Sequence, residues 1–192
     1  MVGLSTASAR HCKRAPVVEK VDFGDKPTME MLSKLSGALT PQTLSVDANA
    51  CIAFLDSQPS VDKKRRIGTM GYCLGGGFTF DTAAAVPDRV GAIASFHSGG
   101  LASNEADSPH LLIPKIRAHA LIAIAEDDDR REPDSKNVLR EAFAKAKLPA
   151  EIEVYAGARH GWCTPDMTTL YNATQAQRAW LRLLNLFETA LA

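Results

Sequence analysis

The feature that most constrains this chain is a short apolar segment that runs into glycines around one cysteine. Residues 67–77 read IGTMGYCLGGG, so Gly71, Cys73 and Gly75 occupy alternate positions. This spacing is the cysteine form of the nucleophile elbow, a tight strand-to-helix turn that lifts a nucleophile above a sheet. We expect glycine at both flanking positions because a side chain there would strike the adjoining strand or helix. The helix is predicted over residues 78–85.

The N-terminus of that helix would lie beneath the sulfur of Cys73. Backbone N–H groups and the helix dipole at this position favour the thiolate. The motif alone also fits a glycine-rich turn around a buried cysteine, or a loop that binds phosphate. Residues elsewhere in the chain have to distinguish these interpretations.

Two further apolar runs end in residues that suit catalysis. Residues 118–125 run into the acids of 126–129, and residues 151–155 are followed by His160. A nucleophile, an acid after a later strand and a histidine after the next strand is the chain order of α/β-hydrolase triads. Alone, the acids would indicate a solvated loop and the histidine a packed or surface residue. The joint order favours a catalytic triad.

These segments resemble the dienelactone hydrolases (carboxymethylenebutenolidases) from about Thr28 to the C-terminus. The resemblance is carried by residues 71–76, 94–100, 125–128 and 155–161, and by Pro165, Asp166, Tyr171 and Trp180 near the end of the chain. It implies an α/β protein with a partial α/β-hydrolase fold, a mostly parallel sheet with helices on both faces. It also implies an ester or lactone hydrolase in which Cys73 is the nucleophile, Asp128 the acid and His160 the base.

The same resemblance implies acyl transfer to water through a thioester acyl-enzyme. The N–H of Leu74 is the oxyanion donor that can be carried over. Asp128 is preferred as the acid because it matches the family position, although Asp127 and Asp129 are neighbours that could substitute. Three arginines lie near the triad in sequence: Arg130, Arg131 and Arg159. None occupies a family position that holds a substrate carboxylate, so neutral and anionic substrates both stay open.

Three other residues are candidates for contact with the substrate. Tyr72 and Trp162 flank the triad in sequence and could wall a pocket. His97 follows its strand, and the carboxyl ends of parallel strands meet at one edge of a sheet. Ordinary packing is the alternative for all three.

The chain departs from the family at its N-terminal end. Dienelactone hydrolases place several strands and a helix before the segment that begins here near Thr28, including a strand that ends in a His-Glu loop. Here 27 residues precede that point and contain no His-Glu pair. The loop normally supplies a second oxyanion donor, and loss of one donor costs on the order of 10²- to 10³-fold in rate. We therefore expect a weakly active, truncated form, with an uncovered sheet edge that a homodimer could complete.

The chain divides into an N-terminal tail, residues 1–27, and a hydrolase-like domain, residues 28–192. Disorder and a transit peptide both fit the tail, because its first 18 residues carry Arg10, Lys13 and Arg14 without an acid. A short strand is also predicted over residues 17–21. We expect a cytoplasmic location, with the mitochondrion as the alternative.

Composition argues against several other classes of protein. The chain has 22 basic and 22 acidic residues and no polybasic run, so neither nucleic acid nor an anionic membrane is an expected partner. No apolar run approaches the ~18 residues of a membrane helix. The four cysteines lack C-x-x-C spacing, so no metal or cofactor is expected, and Cys51 is predicted to lie in the core. The expected partner is a small-molecule substrate.

Two rival classes stay open. Class I glutamine amidotransferases also carry a cysteine elbow, but their histidine and acid lie close together in sequence. Here a predicted helix and strand separate Asp128 from His160, which disfavours that class. The other rival is an inactive pseudoenzyme that acts as an interaction protein.

Overall fold

The computed structural model describes residues 25–192, and a four-stranded parallel sheet forms the centre of the part that carries the elbow. The strands lie across the sheet in chain order: β1 (Ile67–Tyr72), β2 (Val90–Phe96), β3 (His119–Ala125) and β4 (Ala150–Tyr155). All three pairings are parallel, so the carboxyl ends of the strands meet at one edge. The predicted parallel sheet is confirmed, and the strand bounds agree closely with those read from the sequence.

Six α-helices lie within the described residues: α1 (Lys26–Gly37), α2 (Pro41–Ser57), α3 (Leu74–Ala85), α4 (Glu126–Arg131), α5 (Ser135–Ala146) and α6 (Ala173–Ala190). A short 3-10 helix, Pro109–Lys115, precedes β3. The helix α3 begins at Leu74, directly after the cysteine, and not at residue 78 as predicted, because the glycines form its first turn. The acids after β3 form the short helix α4.

Helices cover both faces of the sheet, as predicted. α6 packs against β2 and β3 on one face, where Ala94, Phe96 and Leu183 belong to one buried cluster. α3 packs on the other face, beneath Ser95. Side chains alternate along a strand, so neighbouring residues of β2 contact opposite helix layers. Because both faces are covered, β2 is buried along its whole length.

The chain falls into two compact units. Residues 62–192 contain the sheet, helices α3 to α6 and all the candidate site residues, whereas α1 and α2 belong to the unit that ends at Val61. In that first unit the Thr40 side chain accepts the N–H of Thr43 and caps α2, as predicted. The prediction of a core position for Cys51 is wrong: Cys51 is exposed, and the buried positions of α2 are Ala48 and Ile52, one helical turn apart.

The predictions for the N-terminal end fall mostly on residues that the structure does not describe. The predicted strand over residues 17–21 and the transit-peptide composition of the first 18 residues both lie outside residues 25–192. Within the described residues, α1 begins at Lys26, just ahead of the expected domain boundary. Among the helices of residues 25–192, none combines the length and the apolar character that a membrane span requires.

Candidate active site

Cys73 lies at the turn between β1 and α3 in an unusual backbone conformation. Its φ is 52° and its ψ is −127°, a region that residues with a side chain rarely adopt. The N–H of Cys73 donates to the carbonyl of Phe96 on β2 at 3.0 Å, and its own carbonyl accepts the N–H of Gly76 at 3.1 Å. These two bonds hold the strained turn in place, and the thiol is exposed above the sheet edge.

The two glycines that flank the cysteine have different environments. A Cβ added at Gly71 would overlap the carbonyl group of Gly75, so the backbones of β1 and α3 are in direct contact there. A Cβ added at Gly75 would meet nothing within 4 Å. The expectation that both glycines are sterically required therefore holds at Gly71 and is wrong at Gly75. The next glycine, Gly76, also lies against neighbouring side chains, since a Cβ there would overlap the hydroxyls of Ser95 on β2 and of Ser98 just after it.

The structure brings the three predicted triad residues together. The Nε2 atom of His160 lies 3.2 Å from the sulfur of Cys73. Its Nδ1 atom lies 2.9 Å and 3.1 Å from the two carboxylate oxygens of Asp128. Asp128 is on α4 and only 3% exposed. Each residue follows a different strand, β1, β3 or β4, at the same sheet edge.

The three neighbouring aspartates of α4 contact three different groups: the His160 backbone, the His160 ring and the Lys136 ammonium group. Asp128 contacts the imidazole ring of His160, whereas Asp127 accepts the backbone N–H of His160 at 2.8 Å. Asp129 accepts the ammonium group of Lys136 at 2.7 Å. Of the three, Asp128 is the one whose carboxylate lies within hydrogen-bond distance of the His160 ring. The backbone contact of Asp127 has no sequence signal, because spacing does not tell which donor a carboxylate will meet.

Electrostatic coupling between the acid and the histidine favours the charged form of both. The hydrogen bond to Asp128 raises the pKa of His160 to about 9 against the opposing effect of burial, and contact with Cys73 adds to the rise. Burial opposes ionisation of Asp128, but the hydrogen bond and charge of His160, with the charge of Arg131, outweigh it and lower the Asp128 pKa. Both pKa shifts favour an ion pair between the Asp128 carboxylate and the His160 imidazolium.

The arginines near the triad in sequence contact the acids of α4. Arg131 pairs with Asp128, Arg130 pairs with Glu126, and the Nε atom of Arg159 lies 3.9 Å from Asp127. Arg131 follows Asp128 by three residues on a helix, so its contact could have been predicted had the acidic run been recognised as helical. Within residues 25–192, no group of three or more histidine, cysteine or acidic side chains is arranged to hold a metal ion.

Leu74 and Tyr72 lie on either side of the cysteine. Leu74 is the first residue of α3, so its N–H has no acceptor within the helix. Tyr72 ends β1, is 39% exposed and stacks on Phe96 with ring centroids 5.0 Å apart. An exposed aromatic ring next to the nucleophile can contact a substrate.

Trp162 does not lie where the sequence suggested. It is completely buried and stacks on Tyr155 with centroids 5.2 Å apart, so it offers no surface to a ligand. The prediction that Trp162 walls the pocket is corrected to a core position. Sequence proximity to His160 was misleading because the chain turns inward after Gly161, whose φ is 95°.

His97 lies between the core and the histidine of the triad. Its ring is 5.2 Å from that of Trp162 and 4.9 Å from that of His160, and it is 3% exposed. Burial lowers the pKa of His97 to about 4, and the charge of His160 acts in the same direction, so the ring is neutral. Neither ring nitrogen has a hydrogen-bond partner. We call the rings of Tyr155, Trp162, His97 and His160 the aromatic column.

Comparison with known proteins agrees with the resemblance seen in the sequence. The family model described as the dienelactone hydrolase family matches residues 17–191, a match that begins upstream of Thr28. A Synechocystis protein assigned as a carboxymethylenebutenolidase is 29% identical over 192 residues, covering 98% of this chain and 75% of that protein. The carboxymethylenebutenolidase of Rhodococcus opacus is 28% identical over 134 residues, covering 69% of this chain and 53% of that protein.

Solved structures show the same architecture. A Klebsiella pneumoniae protein assigned as a dienelactone hydrolase superposes with a TM-score of 0.70 at 25% identity, covering 85% of this chain and 67% of that one. A dienelactone hydrolase-like promiscuous phosphotriesterase from metagenomic libraries gives a TM-score of 0.70 at 22% identity, covering 85% and 69%. The sheet and its helix layers therefore form an α/β-hydrolase-like fold, which confirms the predicted fold class.

The two flanking glycines give a matched test of the elbow. Gly71→Ala should lower the free energy of unfolding by at least about 2 kcal/mol, because the new methyl group overlaps the α3 backbone. Gly75→Ala should leave it unchanged or raise it by up to about 1 kcal/mol, because alanine favours the helix and finds open space. Urea unfolding measures both. Equal losses for the two variants would contradict the contact between β1 and α3.

The protonation of His160 is a second prediction. In an NMR pH titration the imidazole should lose its proton near pH 9, and Asp128→Asn should move that titration toward the ordinary histidine value of 6.5. Cys73→Ala should shift it in the same direction by less, because the hydrogen bond to Asp128 is the larger cause. An unchanged titration in Asp128→Asn would show that the pair does not form in solution.

Proposed function

Since the chain belongs to the dienelactone hydrolase family, we propose that it hydrolyses an ester or lactone bond of a small molecule, with Cys73, His160 and Asp128 as its catalytic triad. The observation that carries the proposal is the continuous contact from sulfur to imidazole to buried carboxylate, at 3.2 Å and 2.9 Å. A nucleophile within reach of a base, which a third group orients, is the arrangement that covalent acyl transfer requires.

Acylation begins with the Cys73 proton on His160. The thiolate attacks the carbonyl carbon, and the N–H of Leu74 stabilises the negative charge that develops on the carbonyl oxygen. The tetrahedral intermediate then expels the alcohol oxygen, which takes its proton from the imidazolium of His160. The product of this half-reaction is a thioester on Cys73 and a neutral imidazole.

Deacylation uses the same histidine as a base. Once the sulfur is acylated it carries no charge and no longer binds His160, so one of the causes that raise the pKa of His160 is gone. The neutral imidazole can then take a proton from water as its oxygen bonds to the thioester carbon. The C–S bond breaks, the carboxylic acid is released, and the Cys73 thiolate again faces the imidazolium of His160. Asp128 holds the ring in the required tautomer and stabilises its charged form in both halves of the reaction.

Tyr72 is the side chain that we propose for substrate contact, because its exposed ring lies directly before the nucleophile. The nearby arginines contact acids of α4, which leaves the charge of the substrate open. The alternative of an inactive interaction protein gains no support from the similarity to known hydrolases.

Turnover of an activated ester such as p-nitrophenyl acetate tests the triad. His160→Ala should lower kcat roughly 10²- to 10⁴-fold, the contribution of a positioned general base. Asp128→Asn should lower it strongly, because the amide cannot stabilise the imidazolium. Asp129→Asn is the matched control and should have a mild effect, since Asp129 contacts Lys136 and not the ring. A larger loss in Asp129→Asn would refute the choice of acid.

The thiol itself can be tested without a substrate. Iodoacetamide at mildly acidic pH, followed by peptide mapping, should modify Cys73 well before Cys12, Cys51 and Cys163, because His160 lies against its sulfur. Cys51 is a useful control because it is also exposed, and Cys163 should be slow because burial raises its pKa to about 12. Equal rates at Cys51 and Cys73 would rule out an activated thiol at the elbow.

A further inference from the structure

The acids of α4 hold the loop that carries His160 as well as its ring. We call residues 156–161 the histidine loop. The carboxylate of Glu126 accepts the N–H of Gly157 at 2.6 Å, and that of Asp127 accepts the N–H of His160 at 2.8 Å. The N–H of Glu126 donates in turn to the carbonyl of Ala158 at 2.8 Å. Consecutive residues of one helix thus bind backbone groups along the whole loop.

The other side of the histidine loop is held by the start of α6. The Asn172 side chain donates to the carbonyl of Gly157 at 3.3 Å, and that of Gln175 donates to the carbonyl of Ala156 at 3.0 Å. Gly157 and Gly161 have φ values of 70° and 95°, so the loop turns sharply at both ends and has no strand ladder between them. Its conformation is therefore held by side-chain donors and acceptors from α4 and α6, together with the backbone bond from Glu126 to Ala158.

We propose that Asp127 is a positioning residue for the reaction, with Glu126 as its partner: their carboxylates hold the histidine loop so that Nε2 of His160 stays within hydrogen-bond distance of the Cys73 sulfur. This inference rests on the proposed function, because only that reaction requires the contact. It also changes the interpretation of the acidic run. Asp127 is then not an alternative triad acid, because it accepts the backbone N–H of His160, whereas Asp128 forms a hydrogen bond with the ring.

Three variants distinguish the Asp127 carboxylate as a hydrogen-bond acceptor from the same carboxylate as a negative charge. Asp127→Asn keeps a carbonyl oxygen that can accept the His160 N–H, whereas Asp127→Ala removes the acceptor. Asp129→Ala removes the same charge two residues along the same helix, where the carboxylate binds Lys136 outside the histidine loop. Comparison of the three variants therefore isolates the contact with the His160 backbone.

The first measurement is amide hydrogen exchange at His160, which needs no substrate. The His160 N–H should exchange about tenfold faster in Asp127→Ala than in the parent protein, because its acceptor is gone. Asp127→Asn and Asp129→Ala should remain close to the parent. Parent-like exchange in Asp127→Ala would overturn the proposal, whether or not the protein hydrolyses any ester.

The second measurement is reactivity at Cys73. Asp127→Ala should lower both iodoacetamide alkylation of Cys73 and kcat for p-nitrophenyl acetate by about 10- to 100-fold with KM little changed, because a small misplacement of a catalytic group has effects of this size. Asp127→Asn should restore most of the rate. Failure of the restoration would mean that charge, and not the acceptor, is what matters, and the positioning role would be wrong.

A further pair of variants at Glu126 tests the proposal if Asp127→Ala does not fold. Glu126→Ala removes the acceptor for the Gly157 N–H at the other end of the loop, and Glu126→Gln retains one. Slower alkylation of Cys73 in Glu126→Ala than in Glu126→Gln supports the proposal, and equal rates contradict it. If the parent protein hydrolyses no ester yet its loop exchange follows these expectations, the proposed function fails while the role of Asp127 and Glu126 in holding the loop stands.

Discussion

The contact between the backbone of β1 and the first turn of α3 determines the rest of the site. At Gly71 the strand passes so close to Gly75 that no side chain fits between them. This approach leaves Cys73 a single sharp turn with φ at 52°, a conformation that costs on the order of 1–3 kcal/mol. The hydrogen bond from Cys73 to Phe96 ties the turn to β2, so the sulfur projects above the sheet edge.

Parallel strands then bring the other two residues to the same edge. β3 ends in α4, which carries Asp128, and β4 ends in the histidine loop. The two segments meet because the strands are neighbours in the sheet, and the acids of α4 bind that loop. The register between β3 and β4 therefore sets how Asp128 and His160 meet, so a shift of β4 relative to β3 would separate them.

Features that depend on local spacing could be predicted from the sequence, and features that depend on side-chain direction could not. The elbow, the parallel strands and the cap at Thr40 follow from glycine, apolar runs and a threonine before proline. The low helix propensity of glycine predicts a start of α3 at residue 78, whereas residues 74–77 form its first turn in the structure.

The burial of individual residues was harder to predict. Trp162 is buried rather than at the pocket, and Cys51 is exposed in the middle of α2 where a core position is predicted, because the burial of one residue depends on how neighbouring elements pack around it. The choice of Asp128 among three aspartates came from the family position. The partners of Asp127 and Asp129 depend on how α4 lies against the histidine loop and against Lys136, which residue spacing does not specify.

The aromatic column joins the imidazole of His160 directly to the hydrophobic interior. Tyr155 and Trp162 are fully buried, and the His97 ring packs between those of Trp162 and His160, with successive ring centroids about 5 Å apart. A substitution in the aromatic column therefore affects two things: the packing volume of the core and the orientation of the His160 ring. A substitution that repacks Trp162 to raise thermostability would therefore also change the surroundings of His97 and, through it, of the His160 ring.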